Sequence, residues 1–165
     1  FDYRRKNLKG MEKVRGSVNI KTADAATTMY DLIWSGVFER HPSLRVEIVE
    51  SEIGWMPFYL QQWDYYYKRN TKPGQPQEDF AISRLPSEIF EKHVYATFMD
   101  DYVGCQALKY WGDRNCMWSS DYPHPNMTWP NSRAFLGREI DDLDPARQKS
   151  VLSQNVIDLY KLKLD

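Results

Sequence analysis

The sequence has few cysteines and no segment that could span a membrane. Its 165 residues include only two cysteines, Cys105 and Cys116, which are too few for a disulfide framework. We therefore expect both to be reduced thiols in the core of a cytoplasmic protein. No apolar run approaches the roughly 20 residues that cross a bilayer. The net charge of −1 and the pI near 6.4 argue against nucleic acid or a membrane surface as a partner.

Several familiar catalytic and binding motifs are also absent. There is no glycine-rich phosphate loop, no Cys-x-x-Cys, no His-Glu-x-x-His and no Gly-x-Ser-x-Gly. These absences argue against a P-loop nucleotide site, a helix-borne zinc protease and an α/β-hydrolase. The chain begins at Phe1 rather than at a methionine, so we expect a processed or partial product.

Aromatic residues are abundant. They make up 15 % of the chain, with 6 Trp and 11 Tyr. Both side chains combine an apolar body with a polar tip, which suits the walls of a pocket or an interface. A tryptophan-rich core explains the same composition equally well.

The pattern of apolar residues predicts strands that alternate with helices. We expect helices from about Thr22 to His41 and at 55–69, 101–112, 132–140 and 145–160, with another starting near Leu85. Strands are expected at 44–50, 93–98 and 115–120. This alternation is typical of parallel strands joined by crossover helices. Residues 1–21 are interpreted as a connector and residues 70–84 as a loop insertion within a single domain of residues 1–165.

Three parallel strands are too few to close a barrel, which needs about eight. They also leave sheet edges that must pair with something. The sequence therefore predicts an α/β chain that forms one part of a larger sheet.

Acidic residues cluster where each predicted strand ends. In parallel α/β folds the active site lies at the carboxyl ends of the strands. The residues at these ends are Glu50 and Glu52, Asp100 and Asp101, and Asp121 with His124. Carboxylates with a histidine suit a divalent metal ion and proton transfer. We therefore expect the site at this edge.

Asp121 is the strongest candidate, because it directly follows an apolar strand and burial of an unpaired carboxylate is costly. The alternative is an aspartate that only caps the following loop. Glu50 and Glu52 compete for the equivalent role one strand earlier, and either can be an ordinary loop carboxylate. Asp100 and Asp101 are weaker candidates, because one of them is suitably placed to cap the helix that begins at Tyr102.

Two segments resemble a known family. Ser35 to Pro57, which contains Val-Glu-Ile-Val-Glu-Ser-Glu-Ile-Gly-Trp-Met-Pro, and Trp118 to Ser132, which contains Trp-Ser-Ser-Asp-Tyr-Pro-His, keep the order and spacing found there. They are similar to the sixth and eighth strands of the amidohydrolase-related family, which includes aminocarboxymuconate-semialdehyde decarboxylase, related aromatic-acid decarboxylases and hydrolases. The match covers roughly Thr22 to Tyr160.

The resemblance implies the C-terminal half of a (β/α)8 TIM barrel with one divalent metal, zinc first and manganese second. Of the family's ligands only the aspartate of the eighth strand maps here, as Asp121. Glu50 stands where many members carry a histidine. The resemblance makes Asp121 and Glu50 the catalytic residues. The family's His-x-His pair has no counterpart in this sequence.

The substrate contacts implied by the resemblance are His124, Trp129, Trp55 and Glu52. The expected function is that of a metal-dependent hydrolase or non-oxidative decarboxylase of a small carboxylated or ring substrate. We expect activity only with the N-terminal half, supplied by the same or a separate chain, and a homo-oligomer without nucleic acid or membrane partners. The alternative is a non-catalytic half-barrel that serves as a binding or assembly module.

Overall fold

Three parallel strands lie side by side in the order β1-β2-β3 in the computed structural model of the protein, which describes residues 9–11, 16–71 and 80–163. The strands are β1 (Val46–Ile48), β2 (Val94–Phe98) and β3 (Cys116–Trp118). The helices before and between them are α1 (Lys21–Trp34), α2 (Val37–Arg40), α3 (Met56–Asn70), α4 (Pro86–His93) and α5 (Tyr102–Trp111). After β3 follow α6 (Ser132–Ile140), α7 (Pro145–Lys149) and α8 (Asn155–Tyr160).

The pairing of the strands confirms the predicted parallel α/β arrangement. Val46 lies opposite Val94, and Ala96 lies opposite Cys116. Strands β1 and β3 are shorter than predicted at both ends, whereas β2 ends at Phe98, as predicted. After β1, the N–H of Glu50 donates to the Thr97 hydroxyl at 3.0 Å instead of to a ladder carbonyl.

The hydrophobic core lies between one face of the sheet and the helices. Ile48, Ala96 and Cys116 share that face and are buried. Met29 and Ile33 of α1 pack into the same core, four residues apart and therefore on one side of the helix. Each such side chain contributes roughly 1.5–3 kcal/mol through burial. Cys105 and Cys116 are both unpaired and buried, and burial raises the pKa of each thiol, as expected for core thiols.

The predicted helix of residues 22–41 is wrong in one respect, because it is interrupted. Helix α1 ends at Trp34, and α2 starts at Val37 after a turn at Gly36. Gly36 has a φ of 71°, and a Cβ there would clash with the Ala81 carbonyl. A glycine is needed at this turn for both reasons.

Part of the predicted connector is helical. A π-helical turn, Gly16–Ile20, runs directly into α1. Residues 1–8 and 12–15 of that connector lie outside the described residues, as do residues 72–79 of the predicted insertion. A second π-helical turn, Ser150–Gln154, joins α7 to α8 within the predicted helix of residues 145–160.

Asn155 holds the C-terminal helices against β3. Its buried side-chain amide donates to the carbonyls of Asp113 and Cys116, at 2.5 and 2.7 Å. At the far end of α8, the hydroxyl of Tyr160 donates to Glu47 of β1. Among the described residues, no helix is long and apolar enough to cross a membrane.

Asp101 joins the ends of two strands. Of the two candidate caps of α5, it is Asp101 that accepts the N–H of Gly104, at 2.8 Å. The same carboxylate accepts the N–H groups of Ile53 and Gly54, at 2.7 and 2.6 Å. A Cβ on Gly54 or Gly104 would approach an Asp101 oxygen to 2.9 or 2.5 Å. Both positions therefore favour glycine.

We predict that Asp101→Ala lowers the free energy of unfolding by roughly 2–4 kcal/mol, because it leaves three backbone N–H groups without their charged acceptor. Urea unfolding followed by circular dichroism measures this difference. Asp142→Ala, at an exposed turn position, is the matched control and should change stability by less than about 0.5 kcal/mol. Equal effects of the two substitutions would contradict the proposed importance of Asp101.

Candidate functional site

The residues that follow the three strands meet at the carboxyl edge of the sheet. They enclose a small cavity of about 40 Å³ there. The cavity is lined by Lys21, Glu50, Glu52, Thr97, Phe98, Met99, Ser119, Asp121 and Asn126. Acidic residues from two strand ends therefore meet in one place, at the edge where parallel α/β folds bind their ligands.

Glu50, Asp121 and His124 form the most distinctive group. Each offers one potential ligand atom, and these atoms all lie within 4.8 Å of one another. Nδ1 of His124 is 2.9 Å from Oδ2 of Asp121. The Asp121 side chain is only 11 % exposed, whereas those of Glu50 and His124 are more open to solvent. A partly buried carboxylate flanked by a second carboxylate and an imidazole is a suitable donor set for a divalent cation.

The backbone at these acids is unusual. Glu50, Glu52 and Asp121 have φ angles of 56°, 56° and 58°, and Lys161 is the only other non-glycine residue with positive φ in the described chain. A left-handed conformation costs an L-residue roughly 1–2 kcal/mol. Such strain persists where the surroundings impose it, and it is concentrated at functional sites. At each of these acids the left-handed backbone turns the chain away from the direction of the preceding strand.

Glu50 and Glu52 have different surroundings. The sequence left both as candidates for the site carboxylate after the first strand. The Glu50 carboxylate lies in the donor group and is 3.7 Å from the ammonium of Lys21. Glu52 turns inward, where one of its oxygens accepts the N–H of Met99 at 3.0 Å. Burial, followed by the charge of Asp101, raises the Glu52 pKa. The geometry thus places Glu50 with the potential ligands and Glu52 in the cavity wall.

The loop after β3 is held by its own hydrogen bonds. The N–H of His124 donates to the Asp121 carbonyl at 2.8 Å, and that of Thr128 donates to the Ser120 carbonyl at 3.0 Å. Trp129 is exposed and packs edge-on against Tyr122, with ring centroids 5.8 Å apart. Neither aromatic ring contributes to the cavity wall in the described part of the chain.

Trp55, which was predicted to contact the substrate, lies outside the cavity. Its indole N–H donates to the Ser51 carbonyl at 2.7 Å, and its ring contacts Tyr59 edge-on. These contacts indicate a role in shaping the loop after β1. His93 lies at the opposite end of the sheet, where it is fully buried and stacked on Phe38, and burial lowers its pKa.

A larger cavity of about 610 Å³ lies elsewhere, between α3, α4 and the loop that leads into β3. In its wall Glu91 pairs with Arg114, and Asp64 accepts the hydroxyl of Ser87. The wall includes Cys116, at the start of β3 and away from the carboxyl edge of the sheet. Size alone therefore does not identify the functional site of this chain.

Glu139 of α6 was not anticipated from the sequence. Its side chain is fully buried and lies beside the carboxyl group of Asp100. Burial, reinforced by the neighbouring carboxyl groups of Asp100 and Glu52, raises the pKa of Glu139 to about 8. The sequence did contain one indication that Glu139 is buried. It shares a helix face with Leu136 and Ile140, which are both apolar.

Comparison with protein families matches residues 18–162 to the family described as Amidohydrolase. A search of the curated proteins found no match. Among solved structures, the chain is similar to 5-carboxyvanillate decarboxylase LigW from Sphingomonas paucimobilis, with 22 % identity and a TM-score of 0.62 over 80 % of this chain and 38 % of that one.

Two other solved structures align over most of this chain. A dihydroxybenzoic acid decarboxylase from Polaromonas sp. JS666, with bound manganese and the inhibitor 2-nitroresorcinol, has 18 % identity and a TM-score of 0.68 over 98 % of this chain and 49 % of that one. An amidohydrolase from Mycobacterium avium subsp. paratuberculosis K-10 has 16 % identity and a TM-score of 0.72 over 95 % and 37 %. The chain thus has the fold of part of a TIM barrel and spans less than half the length of these proteins.

We predict that Glu139→Gln changes how stability depends on pH. The folded protein holds a proton on Glu139 up to about pH 8, whereas the unfolded chain releases it near pH 4.5. The folded state therefore binds the extra proton within this window, and the native protein should lose stability as pH rises from about 4.5 to about 8.

The Glu139→Gln variant should lack that loss, so its stability relative to the native protein should rise by roughly 1–3 kcal/mol between pH 5 and pH 8. Chemical unfolding at a series of pH values measures the difference. Glu91→Gln, at an exposed surface pair, is the control and should run parallel to the native curve. If the Glu139→Gln curve is parallel as well, Glu139 does not carry the proton.

Proposed function

Because this chain belongs to the amidohydrolase family, we propose that the protein is a metal-dependent enzyme that decarboxylates a small aromatic carboxylic acid without an oxidant. The observation that carries the proposal is the group formed by Glu50, Asp121 and His124 at the carboxyl edge of the sheet. Two proteins of similar structure are decarboxylases of aromatic acids, which supports this substrate class. We also propose that strands outside this chain, from the same or a separate polypeptide, complete the barrel.

The donor set fits a divalent metal ion. Zinc accepts histidine nitrogen and carboxylate oxygen, and manganese favours carboxylates, so two carboxylates with one imidazole suit either ion. Ligand atoms about 2.1 Å from an ion lie at most about 4.2 Å apart. The observed separations, within 4.8 Å, are therefore close to what an ion needs. The ion would act as a Lewis acid that orients and polarises the substrate.

Asp121 is proposed as a ligand through its carboxylate. Its partial burial favours a bound cation, because an isolated buried charge is costly. The contact with His124 fixes the orientation of both side chains, as hydrogen bonds around metal ligands commonly do. Glu52, by accepting the Met99 N–H, keeps the end of β2 against the same cavity.

Glu50 is proposed as the proton donor, with Asp121 as its alternative. In decarboxylation the carbon–carbon bond to the carboxylate breaks, carbon dioxide leaves, and the electron pair stays on the ring carbon. That carbon then takes a proton from an acid within reach. Glu50 is exposed enough to recover its proton from solvent. His124 and Trp129, which are both exposed and outside the cavity wall, are proposed to contact the substrate as it enters.

Hydrolysis is the second candidate, and the description of the matched family favours it. The same cation and the same carboxylates can activate water for attack on a carbonyl carbon. A non-catalytic binding or assembly module is the third candidate. It requires no metal, so stoichiometric metal in the purified full-length protein argues against it.

We predict that Asp121→Asn in the full-length protein removes bound metal and lowers turnover. Because it replaces a ligand, the loss should exceed the roughly 10–100-fold caused by removing a hydrogen bond to a ligand. Metal content by elemental analysis and turnover measured on the same samples test this expectation. Asp142→Asn is the exposed control and should keep both properties. Normal metal content and turnover in Asp121→Asn would contradict the assignment.

Carbon dioxide release distinguishes decarboxylation from hydrolysis. With 2,6-dihydroxybenzoate or 5-carboxyvanillate as test acids, we expect carbon dioxide and the decarboxylated phenol in equal amounts. Turnover of amide or ester analogues without carbon dioxide release would favour the hydrolase. The measurement is gas release together with chromatography of the products.

A further inference from the structure

A lysine lies among the acids of the candidate site. Lys21 begins α1, far in sequence from the strand ends, and its side chain lines the same small cavity as Glu50, Glu52 and Asp121. It is the only lysine or arginine among the described residues that form this wall. Building on the function proposed above, we propose that Lys21 binds the anionic group of the substrate.

The distance between Lys21 and Glu50 leaves the ammonium available. Nζ of Lys21 is 3.7 Å from Oε2 of Glu50, which is an ion pair but too long for a hydrogen bond. An ammonium carries three N–H donors. Within the described residues its donors are therefore not occupied by Glu50. The Lys21 side chain is 35 % exposed, so an anion can reach it from solvent.

The charge of the cavity supports an anion-binding role. Three carboxylates face one ammonium in the wall, so the cavity is formally negative and would repel an anion. A divalent cation brings the formal charge to zero, or to a positive value if Glu52 keeps a proton. Without Lys21, the loaded cavity would be one charge more negative. The charge of Lys21 therefore makes the metal-loaded cavity formally neutral rather than negative toward a carboxylate substrate.

Binding of the substrate anion differs from a purely structural role of Lys21 in what its loss changes. Lys21 could act only by holding Glu50 in place, in which case its loss would reduce metal binding and affect every substrate equally. An anion-binding lysine instead affects only ligands that carry the anion. The two roles therefore differ in metal content and in the selectivity of the loss.

The test compares two ligands that differ by one carboxylate, 2,6-dihydroxybenzoate and resorcinol, by calorimetric titration of the full-length protein with its metal. Lys21→Met keeps the length of the side chain and removes the charge, while Lys21→Arg keeps the charge. Lys68→Met, at the exposed end of α3, is the control. Metal content is measured on every sample.

We expect Lys21→Met to weaken binding of the acid by about 10- to 100-fold, the loss of one charge-assisted hydrogen bond. Resorcinol binding and metal content should stay within about twofold, and Lys21→Arg should retain most of the affinity for the acid. The inference is overturned if both ligands weaken alike, if metal is lost, or if the native protein binds the acid no better than resorcinol. Absence of metal from the native protein would instead overturn the proposed function, whatever the ligands show.

Discussion

The carboxylate of Asp101 is the contact on which the arrangement of the candidate site depends. It accepts three backbone N–H groups, one from its own helix and two from the segment just after Glu52. The loop that presents Glu50 and Glu52 is therefore bonded directly to the end of β2. Glycines at positions 54 and 104 let the backbone come this close. The interaction fixes one strand end against another, so acids distant in sequence can face a common cavity.

The order of elements and the edge that carries the site were predictable from the sequence. Alternating apolar residues before Glu50 and an apolar run before Asp121 are local signals, and they indicate strands regardless of distant contacts. The parallel pairing follows from the helices between them. A helix cap at Asp100 or Asp101 was predictable because a cap depends on neighbours in sequence, and the structure assigns it to Asp101. The site roles given to Asp121 and Glu50 remain predictions.

The features that the sequence did not reveal depend on distant contacts. Gly36 leaves no room for a Cβ because of the Ala81 carbonyl, which lies 45 residues further along the chain. Lys21 stood in a segment without clear periodicity, and only the folded chain places it beside Glu50. Glu139 is buried because α6 packs against α5, and a charged residue on an apolar stripe is its only local mark. Likewise, the residue types Glu and Asp do not indicate the positive φ angles found at three acids.

The strained acids at the strand ends, His124 and a divalent cation form one proposed site, in which Asp121 is the ligand of the cation and Glu50 and His124 lie beside it. Anomalous diffraction from crystals of the full-length protein, recorded above the manganese or zinc absorption edge, tests it most directly. We expect one strong peak about 2.0–2.3 Å from a carboxylate oxygen of Asp121. A peak bound by other residues without Asp121, or no peak in crystals grown with both metals, would contradict it.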